Sequence, residues 1–270
     1  MLPEALHLAL LATALTLTMM TVLWVWHFRL KDAGVVDPGW AAGIGLVSIL
    51  YASLGSGWQP RRAAVAAMGL IWSVRLAVHL ARRMRGKPEE GRYRALRAEW
   101  ARAGANVPRR FLFFFLLQGL LDVFLGLPML LAVLNPEPRF SDWEAAGAGI
   151  WLFSLAGESV ADAQLDAFKS DPANRGKTCD AGLWRYSRHP NYFFEWLVWM
   201  AWLVFALGSP WGVAAVLCPS LMLFFLLRVT GIPATEEQAL RSRGEEYRRY
   251  QRTTSAFVPW FRKPDPGPAR

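Results

Sequence analysis

The sequence lacks the features that hold a small secreted domain, a structural metal site or a Rossmann sheet together. Its two cysteines, Cys179 and Cys218, are too few for a disulfide framework. No Cys/His spacing typical of a metal site occurs, and no Gly-x-Gly-x-x-Gly turn is present, so we expect no bound metal. No basic segment precedes the first apolar run, which argues against a cleaved signal peptide. No internal repeat is visible.

Apolar residues are abundant instead. They make up 54% of the 270 residues, and 14 residues are Trp. They form seven blocks, several of which reach the length of a membrane helix. The blocks are Ala5 to His27, Gly39 to Leu54, Ala63 to Leu80, Phe111 to Leu134, Trp143 to about Val160, Tyr192 to Leu207 and Trp211 to Leu227. The pattern predicts an all-α integral membrane protein with seven transmembrane helices in one domain, residues 1–263, and a disordered, proline-rich tail over 264–270.

Basic residues are concentrated on one side of this arrangement. Of the 30 Lys and Arg residues, 26 fall in the tail and in the loops after spans one, three and five. The opposite side carries only Arg61, Arg62 and Arg139. The positive-inside rule then places the C-terminus in the cytoplasm and the N-terminus outside. Because the net charge of +9 is confined to these segments, we expect contact with membrane lipid and no binding of nucleic acid.

The densest polar and aromatic cluster is residues 182–195. Pro190 suits the first position of a helix, since its missing N–H is not needed there. Arg188 and His189 precede it, so the cluster is a natural anion site at a helix N-terminus.

Two sets of polar residues have helical spacing near this cluster. Asn191 and Glu195 are four apart, on one face of the helix that Pro190 opens. Glu158, Asp162 and Lys169 follow one face at the end of the fifth block, either as a solvated helix end or as a ligand site. An ionisable group inside a membrane helix usually faces a cavity or a partner and not the lipid.

Span three carries Arg75, His79 and Arg82 on one face. Arg82 can extend to the lipid headgroups, whereas Arg75 and His79 lie deeper and favour a cavity. Asp37, before span two, is either their partner or a helix cap.

Three other segments have a plain structural interpretation beside a functional one. Asn174 and Arg175 form a turn that either wraps a polar ligand or is a simple loop. Glu236 and Tyr247 belong to a helical stripe in the tail, which is more often packing than chemistry. The basic loop from Arg82 to Arg110 favours a helix on anionic lipid.

The run Gly182-Leu183-Trp184-Arg185-Tyr186-Ser187-Arg188-His189-Pro190-Asn191-Tyr192…Glu195 resembles the C-terminal signature of the steroid 5α-reductase family, especially its bacterial, DUF1295-like branch. The resemblance extends to Glu158…Asp162…Lys169 upstream and to Arg228…Glu236-Glu237…Tyr247…Tyr250…Pro259 downstream. It covers about the last 115 residues, whereas the first 110 match mainly in the pattern of spans.

This resemblance implies a monomeric, multi-pass enzyme of the bacterial inner membrane that reduces an enone C=C bond with NADPH. Residues 1–134 would form the pocket for an apolar, steroid-like substrate, and residues 143–263 would bind the cofactor. The expected cofactor residues are Glu158, Asp162, Lys169, Asn174, Arg175, Tyr186, Arg188, His189, Asn191, Tyr192, Glu195, Arg228, Glu236 and Tyr247. The substrate residues are Trp40, Arg75 and His79, and the catalytic ones are His79, Asp37 and Glu195.

In this scheme His79 donates a hydrogen bond to the ketone oxygen as an enolate forms, and Asn191 with Glu195 contacts the nicotinamide amide. His79 falls near a catalytic tyrosine of the animal enzymes, but their Gln-Glu pair in span two has no clear equivalent here.

A second resemblance leads to a different cofactor. Isoprenylcysteine carboxyl methyltransferases share Arg-His-Pro-x-Tyr, a later Glu-Glu and a Tyr-x-x-Tyr before a proline, and they use S-adenosylmethionine. The acidic face before Lys169 and the pair Asn191 and Glu195 favour the reductase. A third interpretation, a non-catalytic lipid-binding protein, would not need so many buried ionisable groups.

Overall fold

The computed structural model describes residues 2–265 and 267, and the regular structure within them is helical. The α-helices are α1 (Leu2–Leu30), α2 (Val36–Leu54), α3 (Gln59–Met84), α4 (Gly91–Arg102), α5 (Val107–Leu125), α6 (Leu127–Val133), α7 (Asp142–Ser170), α8 (Pro190–Ala206), α9 (Leu217–Phe224), α10 (Ile232–Arg243) and α11 (Glu245–Thr253). Short 3-10 turns and one π-helical turn, Phe225–Val229, join them. The predicted disordered tail lies largely outside the described residues.

Five segments are long and apolar enough to cross a bilayer among the residues that the structure describes. They are Leu2–Leu30, Ala33–Leu54, Gln59–Met84, Val107–Val133 and Gly212–Arg243. Length and composition therefore define a multi-pass helical membrane protein. The other two predicted spans do form helices, but α8 has only 17 residues and α7 carries several acidic side chains. The count of seven and the orientation stay predictions.

The chain divides into two compact units. Unit 1 comprises Met1–Glu144 with Phe205–Ala215, and unit 2 comprises Ala145–Val204 with Val216–Arg270. The expected division into a substrate half and a cofactor half stays a prediction.

Unit 1 is built on close contacts between its first helices. α2 and α3 approach through glycine and serine, because Gly45 lies against Ser73 and Gly69 lies against Ser48. The hydroxyl of Ser73 donates to the carbonyl of Ala41 at 2.6 Å, which satisfies a polar group inside this interface. Small residues allow such an approach where lipid supplies no hydrophobic driving force between helices.

One buried ion pair joins distant segments of unit 1. The guanidinium of Arg61, which is 1% exposed, pairs with the carboxylate of Glu144. It also donates to the carbonyls of Asn135 and Glu137, each at 2.9 Å, and to that of Arg139 at 2.6 Å. A buried arginine requires this many acceptors, since an unpaired charge would be costly. Arg61, counted above as a loop charge, therefore organises the loop that precedes α7.

Unit 2 contains most of α7 and α8, followed by α9 to α11. The indole of Trp196 donates to the carbonyl of Pro219 at 3.1 Å, which joins α8 to α9. Pro219 lies in the first turn of α9 and Pro233 in the first turn of α10, where a missing N–H removes no helical hydrogen bond, and the π-helical turn lies between them.

Candidate functional site

The motif before α8 folds onto α7. Residues Gly182–Arg185 form a 3-10 turn, and Gly182 has a positive φ of 58° that a glycine tolerates. The indole of Trp184 donates to the carbonyl of Ala161 at 2.9 Å, and the amide of Leu183 donates to the side chain of Gln164 at 2.8 Å. α8 begins at Pro190, as the sequence predicts. The motif is thereby fixed between two helices.

Arg188 holds the C-terminal part of unit 2. Its Nε donates to Glu236 at 2.6 Å, and its Nη1 donates to the carbonyls of Gln251 at 3.0 Å and Thr254 at 2.6 Å. The backbone amide of Arg188 also donates to the carbonyl of Ser255 at 2.8 Å. The anion beside Arg188 is thus a carboxylate of the same chain.

His189 completes this cluster. It is 2% exposed, and its Nε2 lies 3.2 Å from Glu236 Oε1. Its ring is stacked parallel to that of Tyr192, with centroids 5.4 Å apart. Burial lowers the pKa of His189, and the hydrogen bond to Glu236 opposes that shift without reversing it. The neutral imidazole therefore has Nε2–H available to donate to the carboxylate.

Sequence reasoning missed one contributor to the cluster, Gln251. Gln251 donates to the second oxygen of Glu236 at 2.8 Å, so this carboxylate accepts from three side chains. The hydroxyl of Tyr250 donates to the carbonyls of Trp184 and Ser187. The spacing of Tyr247 and Tyr250 indicated a packed stripe, and their rings do contact edge to face at 5.8 Å. The role of Gln251 had no local signal, because its partner belongs to another helix.

The acidic face of α7 meets the first turn of α8. Asn191 Nδ2 donates to Asp162 Oδ1 at 3.2 Å, and Asp162 is 7% exposed. Glu158, one turn earlier, is 2% exposed, and Glu195 is half-buried. The amide nitrogen of Asn191 is thus engaged within the protein. An amide oxygen can accept from a carboxamide N–H.

Several predicted cofactor cations lie at the surface of unit 2. Lys169, Arg175 and Arg228 are exposed. Arg228 belongs to the π-helical turn Phe225–Val229, a distortion that is frequent at functional sites. Asn174, which precedes Arg175, donates from Nδ2 to the carbonyl of Phe168 at 3.1 Å. This hydrogen bond ties the predicted turn to the end of α7.

A cavity of about 470 Å³ lies beside Arg188 in unit 2. Its wall includes two further cations, Arg252 and Lys263, and the exposed aromatic rings of Trp260 and Phe261. Tyr186, another predicted cofactor residue, contacts Phe261 edge to face at 6.3 Å.

The residues predicted at the substrate lie in unit 1. The sequence offered Arg75 or His79 as the partner of Asp37, and the partners seen are Arg92 and Tyr93 of α4. Tyr93 is 1% exposed and donates to Asp37 Oδ1 at 2.7 Å. Burial, with Asp37 alongside, raises the pKa of the Tyr93 phenol, which therefore keeps its proton.

Other predicted substrate residues occupy two helices of unit 1. Trp40, on α2, packs edge to face on Trp72 of α3, with ring centroids 6.0 Å apart. Arg75 and His79 are half-buried on α3. α4 also packs into unit 1. Its Leu96 and Trp100 contact the buried cluster formed by Met20, Ala33, Val36, Tyr93, Phe111 and Phe115. The predicted surface helix on anionic lipid is therefore a packed element as well.

These helices and their buried ionisable groups define a multi-pass α-helical membrane protein with polar clusters inside each unit. The chain belongs to the DUF1295 family, described as a protein of unknown function, whose model matches residues 23–254. This match covers α2 to α11 and only the last eight residues of α1, and it includes the motif before α8.

One relative is a protein of Schizosaccharomyces pombe that carries the name of an uncharacterised protein. It is 26% identical over 212 residues, which is 68% of this chain and 60% of the relative. The matched part of this chain thus spans about 60% of the relative's length. No solved structure matches the chain.

Proposed function

We propose that the protein is an NADPH-dependent membrane reductase that saturates the C=C bond of an apolar enone, such as a 3-oxo-Δ4 steroid. The observation that carries this proposal is the contact between Asp162 and Asn191 in unit 2. It holds the Asn191 amide so that its oxygen can accept from the carboxamide of a nicotinamide. The resemblance of residues 182–195 to the steroid 5α-reductase signature supports the same choice.

The residues of unit 2 fit a phosphorylated dinucleotide. Asn191 and the half-buried Glu195 supply acceptors for the amide end. Exposed cations supply charge for the phosphates: Lys169 and Arg228 are carried over from the resemblance, and Arg175 belongs to the predicted turn. NADPH, when bound, supplies the hydride that the β-carbon of the enone receives.

The cluster around Glu236 would act by positioning. Arg188 and His189 contact Glu236, and this carboxylate ties them to α10. Their contribution to cofactor binding would be to hold the start of α8, and hence Asn191, in place. Direct contact of Arg188, His189 or Glu236 with the cofactor stays a prediction.

The residues of unit 1 would bind the substrate. An apolar enone enters from the bilayer, and its ketone oxygen gains negative charge as the β-carbon is reduced. A hydrogen-bond donor aimed at that oxygen in a dry site contributes roughly 3–4 kcal/mol. His79 is the donor predicted from the sequence. The hydroxyl of Tyr93, another donor of unit 1, is already engaged by Asp37.

A binding titration separates the two cofactor classes. Purified protein should bind NADPH saturably, and S-adenosylmethionine should not compete. Asn191→Leu should weaken NADPH binding roughly tenfold, since about one hydrogen bond is lost, and Glu195→Ala should abolish turnover of a 3-oxo-Δ4 steroid while the protein stays folded.

The matched control is Gln238→Leu, an amide on the exposed face of α10 in the same unit. It should leave NADPH binding unchanged. Saturable binding of S-adenosylmethionine alone would overturn the reductase and favour the methyltransferase alternative. Equal effects of Asn191→Leu and Gln238→Leu would remove Asn191 from the site.

A further inference from the structure

Asp122 of α5 is an acidic residue with no hydrogen bond from the part of the chain that the structure describes. The residue is 0% exposed, and both carboxyl oxygens are buried and unpartnered. A native structure rarely leaves a buried polar atom unsatisfied, and each such atom requires an explanation. Its helical face otherwise buries Phe111, Phe115, Gly119 and Leu125, so the acid interrupts an apolar stripe.

The position of Asp122 is deep within the membrane-spanning part of unit 1. It lies near the middle of Val107–Val133, and its neighbours come from the middle of two other spans. Gly43 of α2 faces its Oδ2 so closely that a Cβ at residue 43 would overlap that oxygen. The same Cβ would lie 3.1 Å from the terminal methyl of Met19 in α1. Asp122 therefore sits where three helices meet.

This environment fixes the chemical form of the side chain. An ionised carboxylate at such depth, with no cation or donor among the described residues, would be strongly disfavoured. The neutral acid carries an O–H that can donate one hydrogen bond. An apolar site can hold a carboxylic acid in this form, ready to donate to a ligand oxygen.

A half-buried methionine of α1 lies close to Gly43, the glycine that faces Asp122. Met19 is half-buried on α1, whose outer face exposes Val22 and Val25. A methionine side chain has three rotatable bonds and adapts its shape to what it packs against. For a molecule from the lipid side of α1 to reach the acid, Met19 would have to move.

We propose that Asp122 is the hydrogen-bond donor that receives the carbonyl oxygen of an apolar ligand inside unit 1. The ligand class is a lipid-soluble molecule with one polar end, and its identity as an enone ketone rests on the proposed function. Asp122 would then contact the substrate, either with His79 or in its place.

Binding of two matched steroids tests the proposal without turnover. The probes are androst-4-en-3-one and the same steroid without its ketone, titrated by quenching of tryptophan fluorescence in full-length protein. The wild type should prefer the ketone by roughly tenfold, which is the effect of one hydrogen bond in a buried site. Asp122→Asn should keep most of this preference, because an amide also donates. Asp122→Leu should lose it and should melt no lower than the wild type.

The control variant is Asp142→Asn, an exposed acid of the same unit, which should retain the full preference. A ketone preference that survives in Asp122→Leu would overturn the assignment. If that variant does not fold, wild-type protein still decides the question. Dicyclohexylcarbodiimide, an apolar reagent that adds to protonated carboxyl groups, should label Asp122, and the ketone should protect it better than the ketone-free steroid. No labelling, or equal protection by both steroids, would contradict the proposal.

The readouts also separate this proposal from the reductase. A ketone preference that depends on Asp122, without NADPH binding, would refute the reductase and leave the site standing. NADPH-dependent reduction with an unchanged ketone preference in Asp122→Leu would do the opposite.

Discussion

Replacing Glu236 by alanine should release the C-terminal segment of unit 2. Glu236 accepts from Arg188 at 2.6 Å, from Gln251 at 2.8 Å and from His189 at 3.2 Å. The side chains of Arg188 and Glu236 are only 10% and 15% exposed, so solvent would compensate little. Breaking a buried pair costs about 3–5 kcal/mol, and because this pair is partly exposed we expect a cost of ~3 kcal/mol.

The adjacent residue supplies a matched control. Glu237 is also a glutamate on α10 and also pairs with an arginine, Arg241, at 2.5 Å. Its side chain is 64% exposed, and an exposed pair of this spacing contributes less than about 0.5 kcal/mol. Glu236→Ala and Glu237→Ala make the same chemical change one residue apart, yet the loss of stability should be about sixfold larger for Glu236→Ala.

Limited trypsin digestion in mild detergent measures the difference. Cleavage after Arg252 requires the segment that Arg188 holds to open, because Arg188 bonds to the carbonyls of Gln251, Thr254 and Ser255. A loss of ~3 kcal/mol should raise the cleavage rate roughly 100-fold in Glu236→Ala, whereas Glu237→Ala should change it about twofold or less. Glu236→Gln, which keeps an acceptor but not the charge, should fall between them. Equal cleavage rates for Glu236→Ala and Glu237→Ala would show that Glu236 does not hold the C-terminal segment in place.

Three further predictions follow from the same structure. Because burial lowers the pKa of His189, the unfolded chain binds a proton at a pH where the folded protein does not, so the melting temperature should fall as the pH drops below about 6.5; a parallel profile in His189→Gln would contradict this. Arg61→Ala should destabilise unit 1 by about 3–5 kcal/mol in denaturant titrations, whereas Arg139→Ala, at an 81% exposed side chain, should have little effect. Tyr93→Phe should cost about 1 kcal/mol by leaving Asp37 one donor short, and an unchanged melting temperature would show that this hydrogen bond contributes nothing.

Much of the fold could be predicted from local patterns. The apolar blocks become helices because a block of sufficient length satisfies its own backbone in lipid. Pro190 begins α8 because a proline at the first helical position loses no hydrogen bond. The four-residue spacings placed Asp162 on one face of α7 and Asn191 on one face of α8, but they did not predict the contact between these two residues that the structure shows.

The arguments against a disulfide framework and a metal site also came from the sequence alone. Two cysteines and the lack of metal-type spacing are properties of composition, and they need no coordinates. The membrane architecture follows from hydropathy, because the length of an apolar run is fixed by bilayer thickness. These features depend on residues that are neighbours along the chain.

Only the tertiary structure decided which partner each buried charge has. Arg188 pairs with Glu236, 48 residues away, and Arg61 with Glu144, 83 residues away. Asp37 meets α4, and Asp122 meets a glycine of α2. Local periodicity gives the face on which a charge lies, but its partner depends on which helices pack and at what register. That packing is set by side-chain volume summed over the whole interface, so a single sequence segment cannot reveal it.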